Sequence, residues 1–181
     1  MLEASLQIYT YLCIFVIVNT IFLMISEQDK VFMREAIRLS RESVERGGGP
    51  FGAVIVKNGE IVAGSSNSVT IDNDPTAHAE VNTIRKACKA LGTFDLSGCD
   101  IYTSCEPCPM CLGSIYWAHL DRIFYANDRK DAGAIGFDDD FIYEEMEKPF
   151  DQRRTPLIQF LRSEGLEVFR LWDEKADKTE Y

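Results

Sequence analysis

"CEPCPMC", residues 105–111, places three cysteines at a constant spacing of three, with Pro107 and Pro109 between them. The residues just before it, "CDIYTS", read as a strand. Cys108-Pro109 then opens a helix reaching about His119, because proline is favoured at the first helical position. The heptapeptide therefore marks a junction from strand to helix. Further upstream, "HAE" (78–80) falls in the first turn of another predicted helix. That helix is expected to begin at Asp74-Pro75, as N-cap and first helical residue, and to stop at Gly92. One strand between two helices on the same sheet face lets both helix starts meet at one point.

The remaining elements extend outward from this pair. Glu27–Arg46 reads as an amphipathic helix with Met33, Ala36, Ile37, Ser40 and Val44 on one stripe. "GGGP" (47–50) ends it. "FGAVIV" and "EIVAGS" flank Asn58-Gly59, a hairpin turn signal. "SNSVTIDNDPT" reads as a polar loop, "RIFYA" as a strand, and 131–146 as short helices. "LEVFRLW" carries a mixed strand and helix signal. The order α-β-β-α-β-α-β-α predicts an α/β fold, a three-layer α-β-α sandwich around one central mixed sheet.

The chain has 181 residues, which suits one core-forming domain. It carries 19 Lys+Arg against 29 Asp+Glu, net −10. That balance gives no electrostatic footprint for a phosphate backbone and argues against a nucleic-acid partner. Three of the six cysteines sit in the one heptapeptide. Such clustering is a metal or redox pattern and differs from a dispersed secretory disulfide framework. Leu6 to Ile25 is a run of uncharged residues long enough to span a bilayer. It lacks the basic start and cleavage site of a signal peptide. Two readings stand. Residues 1–25 are a membrane segment with the main domain, 26–181, on the cytoplasmic side, or the residues upstream of Met24 come from a misassigned start and Met24 is the natural one. Both place the chemistry in the cytoplasm.

His78, Cys108 and Cys111 can converge as three ligands of one zinc ion, leaving the fourth position for water. Exposed amides and the positive end of a helix dipole favour thiolate at such a helix start. Glu80, two residues from His78, suits a base beside that water better than it suits a fourth ligand. H-x-E followed by P-C-x-x-C is the signature of zinc deaminases, with the glutamate as acid and base. Zinc there lowers the pKa of water, and Glu80 moves protons to the ring nitrogen and the departing amine. A thiol-disulfide protein would use Cys108 and Cys111 but leave His78 and Glu80 without a role. A structural zinc module would want Cys105 as a fourth ligand.

Beyond the signature, "GGPFGAVIV", "NDPTAHAEV", "IRKAC", "YTSCEPCPMCLG", "IYWA" and "GFDDDFIYEE" resemble the bacterial guanine deaminases of the cytidine-deaminase-like superfamily. The resemblance runs from about Glu27 to the final "TEY". It implies a purine substrate, one zinc ion per subunit, and a homodimer with or without exchange of the C-terminal tail. It also implies that Asn67 holds the purine, Phe51 packs on it, and the Ala79 amide hydrogen-bonds the hydrated ring. Asp139 reads the guanine amino group and assists proton transfer, while Trp117 and Tyr181 complete the substrate site. On the residues alone, Asn67 equally suits a turn, and Phe51 and Trp117 equally suit core positions. Asp139 equally suits a solvated helix start. Deaminases of cytosine, guanosine or tRNA adenosine share the two motifs and remain rival readings.

Overall fold

The computed structural model describes residues 25–180; Tyr181 and nearly all of the 1–25 extension lie outside the described residues. The first helix, α1 (Glu27–Glu45), starts in a capping box, with Ser26 and Asp29 each bonding the other's backbone amide. Strands β1 (Gly52–Lys57) and β2 (Glu60–Ser66) form a hairpin. Asn58 and Gly59, both at positive φ, make its two-residue turn. A short helix α2 (Val69–Asp72) precedes α3 (Ala79–Leu91), followed by β3 (Cys99–Cys105), α4 (Pro109–Trp117) and β4 (Arg122–Asn127). Helices α5 (Arg129–Ala134), α6 (Asp140–Glu147) and α7 (Arg162–Asp173) complete the chain, with one 3-10 turn at Phe150–Gln152.

The four strands form one mixed sheet in the order β2-β1-β3-β4. β1 runs antiparallel to both β2 and β3, and β3 runs parallel to β4 through the α4 crossover. Alternation along the strands separates two cores. Ala53, Ile55, Cys99 and Ile101 face one way, toward Ala79 and Ala87 of α3 and Ile115 of α4. Val54, Val56 and Tyr102 face the other way, toward Phe32 and Ala36 of α1. Helices therefore cover both faces, as the order of elements predicts. Gly52 permits the contact with α1, since a β-carbon there would lie 2.3 Å from the Ala36 carbonyl oxygen and 2.5 Å from the Ser40 nitrogen.

Three local expectations are corrected. The buried stripe of α1 is Phe32, Ala36 and Ser43, whereas Ile37 and Val44 are exposed. α3 begins at Ala79, several residues after Pro75. Pro75 occupies a turn in which the Ala77 amide bonds the Asp74 carbonyl and the Asp74 carboxylate accepts from the Thr76 amide. The loop after β2 contains α2, and Asn73 ends it in the left-handed conformation. "LEVFRLW" resolves as helix, within α7. Among the described residues, no helix is long and apolar enough to cross a membrane.

Candidate active site

Two helix starts converge on the α3/α4 side of the sheet. His78 is the N-cap of α3 and Cys108 the N-cap of α4, and neither side chain caps its own helix. Both are thereby free to face each other. His78 Nδ1 lies 3.6 Å from Cys108 Sγ and 3.5 Å from Cys111 Sγ. The three donor atoms all fall within 4.8 Å of one another. Zinc bonds of about 2.3 Å to sulfur and 2.0–2.1 Å to nitrogen, opened to a tetrahedral angle, set S and N roughly 3.5 Å apart. The three side chains thus fit a zinc ion in separation as well as in donor chemistry.

The electrostatics make the two cysteines a thiolate and thiol pair beside the imidazole. The hydrogen bond from Cys111 pulls the Cys108 thiol down to about 4. Cys111, the donor in that bond, is held well above the usual thiol range. The Cys108 sulfur raises the His78 imidazole. Cys105, at the end of β3, stays outside the cluster. Burial pushes its thiol up to about 11, and its Sγ donates to the Asp128 carbonyl at 3.6 Å. It is a packed thiol at neutral pH.

Glu80 is buried beside this cluster, and its Oε2 accepts from Cys111 Sγ at 3.4 Å. Burial raises its carboxyl pKa, a shift that suits a proton carrier. His78, Glu80 and Cys108 open into a cavity of about 180 Å³, whose wall also includes Phe51, Phe137 and Asp139. Phe51 and Phe137 meet edge to face, with ring centroids 4.9 Å apart. Asp139 is the N-cap of α6, yet its side chain makes no capping bond. Burial and the Cys108 sulfur raise its pKa.

The remaining expected residues fall differently. Ala79 is fully buried at the first position of α3, where its amide has no intrahelical acceptor. Asn67 is buried behind the Phe51 wall and does not line the cavity. Its Oδ1 accepts from the Gly49 and Val69 amides, at 3.4 and 3.2 Å. Trp117 is exposed and lines a shallow surface beside Val168, Phe169 and Trp172 of α7, away from the cavity. Tyr181 lies outside the described residues. Residue reasoning passed over Phe137, Glu106 and Arg129 on the cavity wall. Phe137 adjoins the acidic run that drew attention to Asp139, so a signal existed there. Arg129 and Glu106 are isolated charges with no motif of their own.

Residues 26–127 match the cytidine and deoxycytidylate deaminase zinc-binding region. The chain belongs to this family of zinc-dependent deaminases, and its fold is cytidine deaminase-like. It is a zinc-binding hydrolase of that class. Within the family it is 54% identical over 153 residues to the guanine deaminase of Bacillus subtilis strain 168, covering 84% of this chain and 98% of the relative. The X-ray structure of guanine deaminase from Bacillus subtilis superposes with a TM-score of 0.82 at 52% identity, covering 87% of this chain and 99% of that one. The tRNA-specific adenosine deaminase of the same strain is 39% identical over 109 residues, 60% of this chain and 68% of the relative.

Proposed function

We propose that this chain hydrolyses guanine to xanthine and ammonia. The observation that carries the reading is the extent of similarity, 54% identity along 98% of a guanine deaminase. Similarity to the tRNA-specific adenosine deaminase is lower, 39%, and covers 68% of that enzyme. His78, Cys108 and Cys111 would hold one zinc ion, which supplies a Lewis acid that acidifies water to near-neutral pH. Glu80 takes a proton from the attacking water and delivers it to the ring nitrogen beside the amino-bearing carbon. It then passes the second proton to the departing amine, so that water's oxygen stays on the ring and ammonia leaves. The unused Ala79 amide donates to the oxygen gained by the ring.

Phe51 stacks on the purine, and a shift of the Phe51 wall as the purine enters brings the Asn67 amide to its edge. Asp139 reads the guanine amino group and assists the second proton transfer. Asp139→Asn keeps acceptor geometry on one oxygen but cannot carry a proton. It is expected to lower guanine turnover by roughly 10²-fold with zinc content unchanged. Steady-state kinetics with metal analysis checks this, and unaltered kcat would remove Asp139 from the mechanism.

Residues 26–181 act as one cytoplasmic catalytic domain, and the working unit is a homodimer. No residue of α6, the 3-10 turn or α7 is buried, although Phe141, Phe150, Phe169 and Trp172 lie there. Exposed apolar area of that extent calls for a partner surface, and a second copy supplies one with or without exchange of the C-terminal tail. Trp117 and Tyr181 complete the substrate site in that dimer. Light scattering is expected to give twice the chain mass. Ammonia release measured on guanine, guanosine, cytosine and adenine tests the substrate. Guanine is expected to lead by at least about 10²-fold in kcat/KM, and a larger value for any of the others overturns the reading.

A further inference from the structure

Charge gathers at a second place, behind the Asn67 loop. A groove of about 480 Å³ is lined by Arg46, Ser65, Ser66, Ser68, Arg85 and Lys86, with Asp72 as the carboxylate on its wall. None of these residues lines the catalytic cavity. Among the wall residues three cations face one carboxylate, the reverse of a chain whose net charge is −10, and of the three Arg85 is also paired with Asp74 at 3.8 Å. The hydroxyls add to the imbalance. Arg46 Nη2 donates to Ser66 Oγ at 2.9 Å, Lys86 Nζ to Ser65 Oγ at 2.9 Å, and Asn82 Nδ2 to Ser68 Oγ at 3.0 Å. Each serine oxygen is thereby an acceptor, and among the described residues none of the three hydroxyls donates to anything. A hydroxyl has both capacities, and Ser65 and Ser66 are buried, where unused donors are unfavourable. The groove therefore offers a surplus of donors around a small volume, the complement of an ion with several acceptor oxygens.

We propose that this groove binds a phosphate monoester dianion, presented by a nucleoside 5′-monophosphate or by inorganic phosphate. Its volume falls in the range of small-molecule sites, roughly 300–1,000 Å³, which leaves room for a nucleoside beside the phosphate. Arg46, at the end of α1, and Lys86, on α3, reach the anion from two elements that the sheet fixes in place. The groove shares no lining residue with the catalytic cavity, although Asn67, assigned above to the purine, stands on the groove's wall.

The test is calorimetric titration of the zinc-loaded full chain at fixed ionic strength. Inorganic phosphate, guanosine 5′-monophosphate, guanosine and a short single-stranded RNA are the probes. Saturable binding of the monophosphate that guanosine does not reproduce is expected, and the inorganic phosphate arm tells whether the ester or the free ion is the better source. Exchanging both Arg85→Gln and Lys86→Gln is expected to weaken binding at least about 10-fold. Asp72→Lys removes the opposing carboxylate and adds a cation, so it is expected to tighten binding several-fold. Heats no larger than those of sodium chloride overturn the proposal. So do affinities unchanged in both variants, and binding of the RNA alone.

Discussion

Glu80→Gln is expected to keep one zinc ion per subunit and to lower kcat for guanine by roughly 10³-fold, within the range for loss of a general acid and base. The two halves of this result rest on different observations. Zinc retention follows because Glu80 lies outside the three-residue donor cluster. Its Oε2 stands 3.4 Å from Cys111 Sγ without being one of the three donors, and glutamine has the same shape and size as glutamate, so the donors keep their places. The loss of turnover follows because a glutamine amide cannot take a proton from water and return it to a ring nitrogen. Burial also matters, since it raises the carboxyl pKa and so favours the protonated form through which the shuttle passes. Metal analysis and single-turnover kinetics on the same preparation check both halves together. Zinc lost along with activity would make Glu80 a support of the metal site. Full activity would end the deaminase assignment of "HAE".

The layered fold was legible because its signals were local. Asn58-Gly59 allows positive φ at both turn positions, and the hairpin follows. Pro109 begins α4, which puts Cys108 at the N-cap. What was less legible depended on packing. α1 has apolar residues on more than one face, so periodicity could not tell the Phe32, Ala36 and Ser43 stripe from the neighbouring Ile37 and Val44 positions. The tight approach of α1 to Gly52 selects the former. Asp74-Pro75 carries the same residue types in a turn as at a helix start, and the side-chain bond from Asp74 to Thr76 settles it as a turn.

The site divides along the same line. Its metal-facing half is encoded by two contiguous motifs at helix starts, so the spacing alone brings the donors together. Its substrate-facing half is assembled from separate segments. Phe51 and Phe137 are distant in sequence and meet only in the fold. Trp117 shows the limit of motif reasoning, because α4 turns it toward α7 and away from the cavity.

Cys108→Ser and Cys111→Ser should each weaken zinc binding by more than about 100-fold, beyond the range for loss of a supporting residue, whereas Cys105→Ser should stay within about 10-fold. Competition with a chromogenic chelator measures all three. The heptapeptide presents three cysteines at equal spacing, but the chain direction changes within it. Cys105 ends β3, and Pro109 starts α4. Cys108 and Cys111 consequently lie one helical turn apart at a positive helix end, facing His78 at 3.6 and 3.5 Å. Cys105 points to the Asp128 carbonyl, a contact that a serine hydroxyl reproduces. Serine at 108 or 111 replaces a soft thiolate by a neutral hydroxyl that zinc binds poorly. Equal loss in all three variants would instead describe a four-coordinate structural ion with Cys105 as its fourth ligand. Such an ion has no open position for water, and the catalytic reading would fall with it.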